Sequence, residues 1–329
     1  MIYDCFSFFN ELDLLEIRLN VLKDVVDRFV LVEAGETHAG KPKPFYFEEN
    51  HSRFAEFLDR IEYVKIEKFP TGCKTAWWRE NIQRNAIAEG LKGAKDDDTV
   101  IISDLDEIPR PEVIARAKKE KYRGVSALGI EVFCYYLNFK NYTHYEIAAP
   151  KLLSYGTLID PKTYEGMRPL VNHDKWVNQG PTATNIRCIT PARVLKHAGW
   201  HFSYLGGAEA IIRKIGSIAI EYANEKNTNA AWLAEVIEKG EDITGCGGRY
   251  FAVPLDNRFP EYIRNNRGKY AALIYEPDAD YYRRTYWPRR KCFLRGWIRK
   301  NGAKLIPRPF KQFLYDHVYC KIVKEPIVM

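Results

Sequence analysis

The sequence predicts an α/β fold in which a mostly parallel sheet is flanked by helices, with a basic extension at the C-terminal end. Short apolar runs typical of buried strands alternate with stretches whose apolar residues have helical spacing. Helices between successive strands imply right-handed crossovers, which connect parallel strands. We therefore expect one domain over residues 1–280 and a basic, aromatic extension over residues 281–329.

The first third of the chain carries the clearest alternation of strands and helices. The first predicted helix begins near Asn10 and Asp13, and its spaced positions are Leu14, Leu15, Arg18, Leu19 and Leu22. Strands are predicted at residues 3–9, 28–34, 61–66 and 99–102, and further helices at 53–58, 77–91 and 111–121. Ligands of such open sheets bind beyond the carboxyl ends of the strands, so we expect the site at that edge.

The middle of the chain is richer in aromatic residues and reads as further strands. Residues 125–139 and 151–159 are strand-like, and residues 192–204 bring a strand into a Gly-Trp-His turn. Two glycines then precede a predicted helix over residues 208–223. The middle third therefore differs from the strand-helix alternation of the first third.

The composition indicates a folded protein in a reducing compartment. Hydrophobic residues make up 46% of the 329 residues, the mean hydropathy is −0.39, and no run is long and apolar enough for a membrane span. The sequence after Met1 lacks the pattern of a signal peptide, so we expect a cytoplasmic location. The seven cysteines are scattered without a C-x-x-C pair, which favours free thiols over disulfides or a zinc site.

The charge is distributed unevenly along the chain. Residues 281–315 hold eleven basic residues and no acidic one. Without these eleven charges, the net charge of +7 becomes −4. The body is therefore mildly acidic and the extension strongly basic.

The strongest chemical signal is T-V-I-I-S-D-L-D-E-I-P-R-P at residues 99–111. Asp104 and Asp106 are two residues apart in an extended segment, so both side chains can point to the same place. Clustered carboxylates need a counter-charge, and a divalent metal ion would supply it. Two acids that merely end a strand remain the alternative. The sequence has neither a P-loop nor a G-x-G-x-x-G motif to hold phosphates.

Several separated blocks resemble glycosyltransferase family 17. These blocks are N-E-L-D-L-L-E-I-R-L, D-V-V-D-R-F-V-L-V-E-A and G-K-P-K-P near the N-terminus, then D-L-D-E-I-P at 104–109 and G-W-H-F-S at 199–203. The resemblance implies a GT-A type, Rossmann-like fold and transfer of N-acetylglucosamine with inversion at the anomeric carbon. It also implies UDP-N-acetylglucosamine as the donor, Mn²⁺ or Mg²⁺ as the cofactor, and a glycan or glycolipid acceptor.

Carried onto this sequence, the resemblance predicts the residues that bind donor and metal. Asp106 would bind the metal directly, Asp104 would bind the ribose or the metal, and His201 would bind the metal or the diphosphate. Glu33 would face the nucleoside, and Arg79 and Arg84 would pair with phosphate. Each of these assignments has a structural alternative. His201 could instead be a packed histidine, Glu33 a strand-end acid, and Arg79 and Arg84 solvated arginines.

An inverting transfer needs a carboxylate that takes the proton of the acceptor hydroxyl. Glu209, which follows the G-W-H block at a helix start, is the first candidate, and Asp174 is the second. A glutamate is also simply favourable in the first turn of a helix. Trp176 and Trp200 could stack on acceptor sugar rings, although burial in a core is the alternative for both.

The basic extension predicts contact with an anionic membrane surface. Residues 289–300 place apolar residues among six basic ones, as in helices that lie at a lipid interface. No nucleic-acid reader motif accompanies the charge, so we expect no nucleic-acid partner. The alternatives to a transferase are a nucleotidyltransferase, a phosphohydrolase that uses the same carboxylates, and a non-catalytic carbohydrate-binding protein.

Overall fold

A sheet of ten strands runs through the described part of this computed structural model, which comprises residues 1–73, 75–120, 124–143, 146–165, 181–191, 193–218, 226–244 and 247–305. Its strands are β1 Ile2–Phe8, β2 Arg28–Ala34, β3 Ile61–Ile66, β4 Thr99–Asp104, β5 Glu107–Pro109, β6 Ser126–Cys134, β7 Phe139–Asn141, β8 Lys151–Ser154, β9 Arg193–Ser203 and β10 Tyr250–Ala252. The main order is β10-β7-β6-β8-β4-β1-β2-β3, and β9 pairs with both β5 and β6.

Helices connect and cover these strands. They are α1 Leu12–Leu22, α2 Tyr46–Glu49, α3 Ala76–Asn85, α4 Ile87–Gly90, α5 Pro111–Glu120, α6 Tyr155–Ile159, α7 Ala183–Cys188, α8 Gly207–Ile215, α9 Ala230–Lys239, α10 Glu261–Asn265 and α11 Tyr281–Leu305. Short 3₁₀ helices lie at His51–Arg60, Pro161–Tyr164 and Ala271–Leu273. The predicted α/β class, with a large sheet flanked by helices, is confirmed.

The four strands at one side of the sheet are parallel, as the crossover helices predict. β1 lies between β2 and β4, with Cys5 opposite Val30 on one side and Ile102 on the other, and β2 continues to β3. Alternate side chains of these strands enter cores on opposite faces of the sheet. Phe6 and Leu31 pack with α1 and α5 on one face, whereas Cys5 and Val30 pack with α4, α6 and α7 on the other.

The other side of the sheet corrects the prediction of a mostly parallel arrangement. β8 is antiparallel to both β4 and β6, β7 is antiparallel to β6 and β10, and only β6 and β9 form a further parallel pair. The short connection between β6 and β7 leaves no room for a crossover helix, so β7 runs back along β6. The sheet is therefore mixed.

Several predicted boundaries also differ from the structure. Residues 151–159 are a strand only to Ser154, whose hydroxyl accepts a hydrogen bond from the Thr157 amide at 3.2 Å and starts α6. The helix predicted over 77–91 is divided at Ala86 into α3 and α4. The helix predicted over 208–223 ends at Ile215, and residues 219–225 lie outside the described chain.

The helix α11 is longer than the sequence pattern predicts. It extends over 25 residues and contains Pro288. Among the described residues, no helix is long and apolar enough to cross a membrane. The five described cysteines, at 5, 73, 134, 188 and 292, are all free, as expected.

Candidate active site at the end of strand β4

Asp104 and Asp106, the two carboxylates of the D-L-D motif, lie in a turn whose backbone accepts hydrogen bonds from a buried arginine. Arg18 of α1 is fully buried, and its guanidinium donates to the carbonyl oxygens of Asp104, Leu105 and Glu107 at 2.9, 3.0 and 2.9 Å. The same guanidinium forms a two-pronged ion pair with buried Asp4 of β1, at 2.7 and 2.6 Å. Because three carbonyls share one rigid donor, the turn is held in a single conformation.

Glu107 braces the turn from inside. Its side chain is buried, accepts a hydrogen bond from the Asp104 amide at 2.8 Å, and pairs with Arg187 of α7. The Glu107 side chain therefore has a structural role, which is to stabilise the conformation of the D-L-D turn. Sequence reasoning missed Arg187, because it lies 80 residues along the chain and belongs to no recognisable motif.

Asp104 is held between two arginines but keeps an open side. Its two carboxylate oxygens accept from Arg84 and Arg187, both at 3.0 Å, and the side chain is 40% exposed. Desolvation acts to raise the pKa of Asp104, but the guanidinium groups of Arg187 and Arg84 outweigh it and lower that pKa to about 2. Asp104 is thus ionised at neutral pH.

Strand pairing joins two of the blocks that carry the family resemblance, D-L-D-E-I-P at 104–109 and G-W-H-F-S at 199–203. β5 and β9 are antiparallel, with Glu107 opposite His201 and Pro109 opposite Gly199. A Cβ atom at Gly199 would lie 2.3 Å from the carbonyl oxygen of Ile108, so only glycine allows this approach. This pairing places His201 next to Asp106, the second carboxylate of the D-L-D motif.

Asp106 lies in a cluster with a histidine and a lysine. Its oxygens are 3.5 Å from His201 Nε2 and 2.9 Å from the Lys214 ammonium of α8. Burial acts to raise the pKa of Asp106, but Lys214 and His201 outweigh it and lower the pKa well below its usual range. At His201 and Lys214, burial acts to lower the pKa, but the nearby Asp106 carboxylate outweighs it. The pKa values of His201 and Lys214 are therefore raised. Sequence reasoning missed Lys214, which gives no signal beyond being a basic residue near a helix end.

These groups line a cleft with a volume of about 330 Å³ at the carboxyl ends of β1, β2 and β4. Phe8, Phe9 and Trp77 supply apolar walls, as expected of a pocket for a flat ring. The polar lining includes Glu11, Glu36, His38, Glu80, Gln83, Arg84, Asp104, Asp106, His201, Ser203 and Lys214. An apolar pocket beside a cluster of cations suits a ligand that combines a base with a phosphate chain.

Glu33, predicted to face a nucleoside, is fully buried and does not line the cleft. Its carboxylate accepts from the Lys43 ammonium at 2.8 Å, from the Tyr63 hydroxyl at 3.0 Å, and from the amides of Tyr46 and Phe47 at 2.7 and 3.1 Å. Because its oxygens are already occupied, the structure assigns it to holding the loop after β2. Lys43 reaches the cleft instead.

Two further predicted residues also lie away from the cleft. Arg79 donates to the carbonyl oxygens of His38 and Cys73 at 3.0 and 2.9 Å, so it braces a loop. Trp200 is 3% exposed, lies under the guanidinium of Arg110 at 4.0 Å and donates to a backbone carbonyl, so it is a core residue and offers no face to a sugar.

The two candidates for the general base remain predictions. Glu209 is exposed in the first turn of α8 and does not line the cleft. Asp174 lies outside the described residues, as does Trp176.

Two side chains of the cluster, Asp106 and His201, are of the kinds that bind divalent metals. In the described chain, no group of three or more His, Cys, Asp or Glu side chains is placed to hold a metal. Asp106 and His201 nevertheless offer an oxygen and a nitrogen side by side, and Mg²⁺ and Mn²⁺ commonly complete their coordination with water and substrate phosphates. The cations of the protein already balance the carboxylates, which corrects the expectation that a metal is needed for that balance.

Curated relatives match part of the chain. The chain is 34% identical over 108 residues to the human and rat β-1,4-mannosyl-glycoprotein 4-β-N-acetylglucosaminyltransferases, and 33% identical to the mouse protein. The match covers 30% of this chain and 20% of each relative. The chain thus spans a small part of the length of these relatives.

Solved structures give weaker likenesses. HddC from Yersinia pseudotuberculosis has a TM-score of 0.34 at 12% identity, over 61% of this chain and 89% of its own. Mannosyltransferase PcManGT from Pyrobaculum calidifontis, solved with GDP-Man and Mn²⁺, has a TM-score of 0.35 at 14% identity, over 90% of this chain and 86% of its own. At these scores neither structure bears on the function of this chain.

The family comparison agrees with the sequence blocks near the N-terminus. The model of Glycosyltransferase family 17 matches residues 1–148, which include the D-L-D-E-I-P block but end before G-W-H-F-S. The resemblance predicted from the sequence is confirmed: over residues 1–148, this chain matches glycosyltransferase family 17.

Proposed function

We propose that the chain is a metal-dependent, inverting glycosyltransferase that transfers N-acetylglucosamine from UDP-N-acetylglucosamine to a glycan. The observation that carries the proposal is the cluster of Asp106, His201 and Lys214 beside an apolar pocket at the carboxyl edge of the parallel strands. A nucleotide sugar has the matching parts, namely a flat base, a ribose and a diphosphate. The family match over residues 1–148 supports the same class of reaction.

In this proposal the residues of the cluster bind the metal and the diphosphate of the donor. Asp106 and His201 would hold Mn²⁺ or Mg²⁺, and the metal would supply positive charge to stabilise the departing UDP. Lys214, partly buried and charged, pairs with a phosphate oxygen. Arg18 keeps the turn in place, so the cluster needs no rearrangement during the reaction.

The remainder of the pocket binds the nucleoside. The aromatic side chains of Phe9 and Trp77 pack against the uracil ring. Asp104 is ionised and open on one side, so it accepts a hydrogen bond from a ribose hydroxyl. Arg84, which lines the cleft, keeps Asp104 oriented.

The acceptor is a glycan, glycoprotein-linked or lipid-linked, and Glu209 or Asp174 acts as the general base. We also propose that the chain is cytoplasmic and peripheral on a membrane, as the charge of residues 281–315 predicts. Replacing either carboxylate by its amide tests the base, because loss of transfer with unchanged donor affinity identifies it.

Calorimetry of UDP-N-acetylglucosamine binding, with and without Mn²⁺, tests the central proposal on the native chain and on Asp106→Asn. We expect binding that requires the metal and that Asp106→Asn abolishes. Asp97→Asn is the matched control, because Asp97 is exposed on the turn before β4, at the opposite end of that strand from Asp104, does not line the cleft, and should leave binding unchanged.

Other results would move the assignment to a different class. Absence of UDP affinity in either condition would refute the donor and favour a phosphohydrolase or a carbohydrate-binding protein. Release of pyrophosphate from a sugar phosphate and a nucleoside triphosphate would identify a nucleotidyltransferase.

A further inference from the structure

The helix α11 is fixed to the body along one side. Tyr281 is 8% exposed, and its hydroxyl accepts a hydrogen bond from the Ala252 amide at 2.9 Å. A Cβ atom at Gly296 would lie 2.3 Å from the Thr143 carbonyl oxygen, so the helix and the loop after β7 are in close contact. These two anchors, four turns apart, define which face of the helix points outward.

The outward face has an apolar centre. Successive residues of an α-helix are rotated by roughly 100°, so Trp287, Leu294 and Ile298 lie within a narrow stripe opposite the anchors. Their exposed fractions are 73%, 55% and 52%. Tyr286 and Phe293, which are 45% and 50% exposed, lie toward one edge. So much exposed apolar area on one helix is unusual for a surface that faces only water.

Cationic side chains surround this stripe. Lys291 lies within it, and Arg290 and Arg295 lie on its two sides, all exposed. Within the described chain, Lys291 and Arg295 have no recorded ion pair or hydrogen bond, and the sequence supplies no acid between residues 281 and 315. The surface formed by Trp287, Arg290, Lys291, Leu294, Arg295 and Ile298 is called the α11 face below.

We propose that the α11 face docks on an anionic lipid bilayer, with the apolar stripe at the level of the acyl chains and the cations among the headgroups. An apolar centre with cationic flanks complements a surface whose charge lies outside and whose apolar region lies beneath. A nucleic acid offers negative charge but no apolar layer, so it would leave Trp287, Leu294 and Ile298 exposed. This inference deepens the proposed function, because it rests on a membrane location and identifies the surface responsible.

Co-sedimentation of the full chain with vesicles tests the inference, using phosphatidylcholine with and without phosphatidylglycerol. Binding should require the anionic lipid and weaken as salt is raised. Trp287→Ser with Leu294→Ser should lower the partition coefficient by roughly ten-fold or more. Lys291→Glu with Arg295→Glu should lower it by at least roughly 25-fold, since each cation contributes roughly five-fold at an anionic surface.

Matched variants control for exposed area and for net charge. Ile159→Ser with Val194→Ser removes apolar side chains that are 44% and 47% exposed elsewhere, and it should leave partitioning unchanged. Lys68→Glu with Lys119→Glu makes the same change in net charge at exposed positions outside α11 and should have a several-fold smaller effect.

Four results would overturn the inference. They are no binding to vesicles, equal binding to both lipid mixtures, equal loss in control and α11 variants, or a nucleic acid bound more tightly than the vesicles with no effect of Trp287→Ser and Leu294→Ser. Donor binding is measured on the same variants, because the α11 face does not line the cleft. Vesicle binding without UDP affinity would refute the proposed function and leave the inference standing. UDP affinity without vesicle binding would refute the inference and leave the donor assignment of the proposed function standing.

Discussion

Replacing Arg18 by methionine tests how the buried base of the cleft is held together. The substitution leaves the Asp4 carboxylate buried without its partner and leaves three carbonyl oxygens of the turn without a donor. Both side chains of the ion pair are 0% exposed, so water cannot compensate. Removing one member of such a pair costs about 3–5 kcal/mol, which is a large part of the stability of a typical domain.

Urea denaturation of Arg18→Met, Arg18→Met with Asp4→Asn, and Arg28→Met measures this cost. The double variant removes the unpaired charge, so we expect its loss of stability to be smaller, about 2 kcal/mol. Arg28 is the matched control, because it lies at the start of β2, is 40% exposed, and should cost less than about 1 kcal/mol.

Hydrogen exchange over residues 104–109 separates the two roles of Arg18. The double variant should still exchange faster than the native chain in this segment, because the turn has lost its donor even though no charge is left unpaired. The reasoning would be refuted if Arg18→Met cost no more than Arg28→Met, or if the double variant restored native protection.

Three further predictions follow from the geometry of the cleft. Lys214→Met should weaken UDP-N-acetylglucosamine binding by about 10- to 100-fold in calorimetry, since it removes a partly buried charge-assisted partner, whereas Lys118→Met at an exposed position of α5 should not. Gly199→Ala should lower the free energy of unfolding by about 1–3 kcal/mol, because the added methyl meets a carbonyl oxygen at 2.3 Å, and Gly93→Ala, with nothing within 4 Å, should not. The pKa of Asp104 is about 2 against an ordinary value of 3.8, so its contribution is present above pH 4 and lost as the pH falls to about 2. The stability difference between the native chain and Asp104→Asn, about 1–2 kcal/mol after allowance for exposure, should disappear over that range in acid denaturation.

Much of the fold was predictable because strands and helices are encoded by short periodic patterns. The parallel strands β1 to β4 and the helices between them followed from apolar runs and helical spacing within windows of a few residues. The antiparallel strands β7 and β8 were harder, because direction depends on connection length and pairing partner.

The candidate site was predicted in part. Asp104, Asp106, Arg84 and His201 were named from motifs, and all four line one cleft. Glu33 and Trp200 were also named, but burial gives them structural tasks, because a motif shows which residue type is present and not which way its side chain packs.

By itself, the sequence determined the α/β class, the carboxylate motif at the end of a buried strand, and the basic charge of residues 281–315. Only the tertiary structure decided which cations meet that motif. Arg187 reaches Glu107 across 80 residues, and Lys214 reaches Asp106 across 108. The physical reason is that local patterns report the periodicity of one segment, whereas a contact between distant residues depends on how several segments pack together.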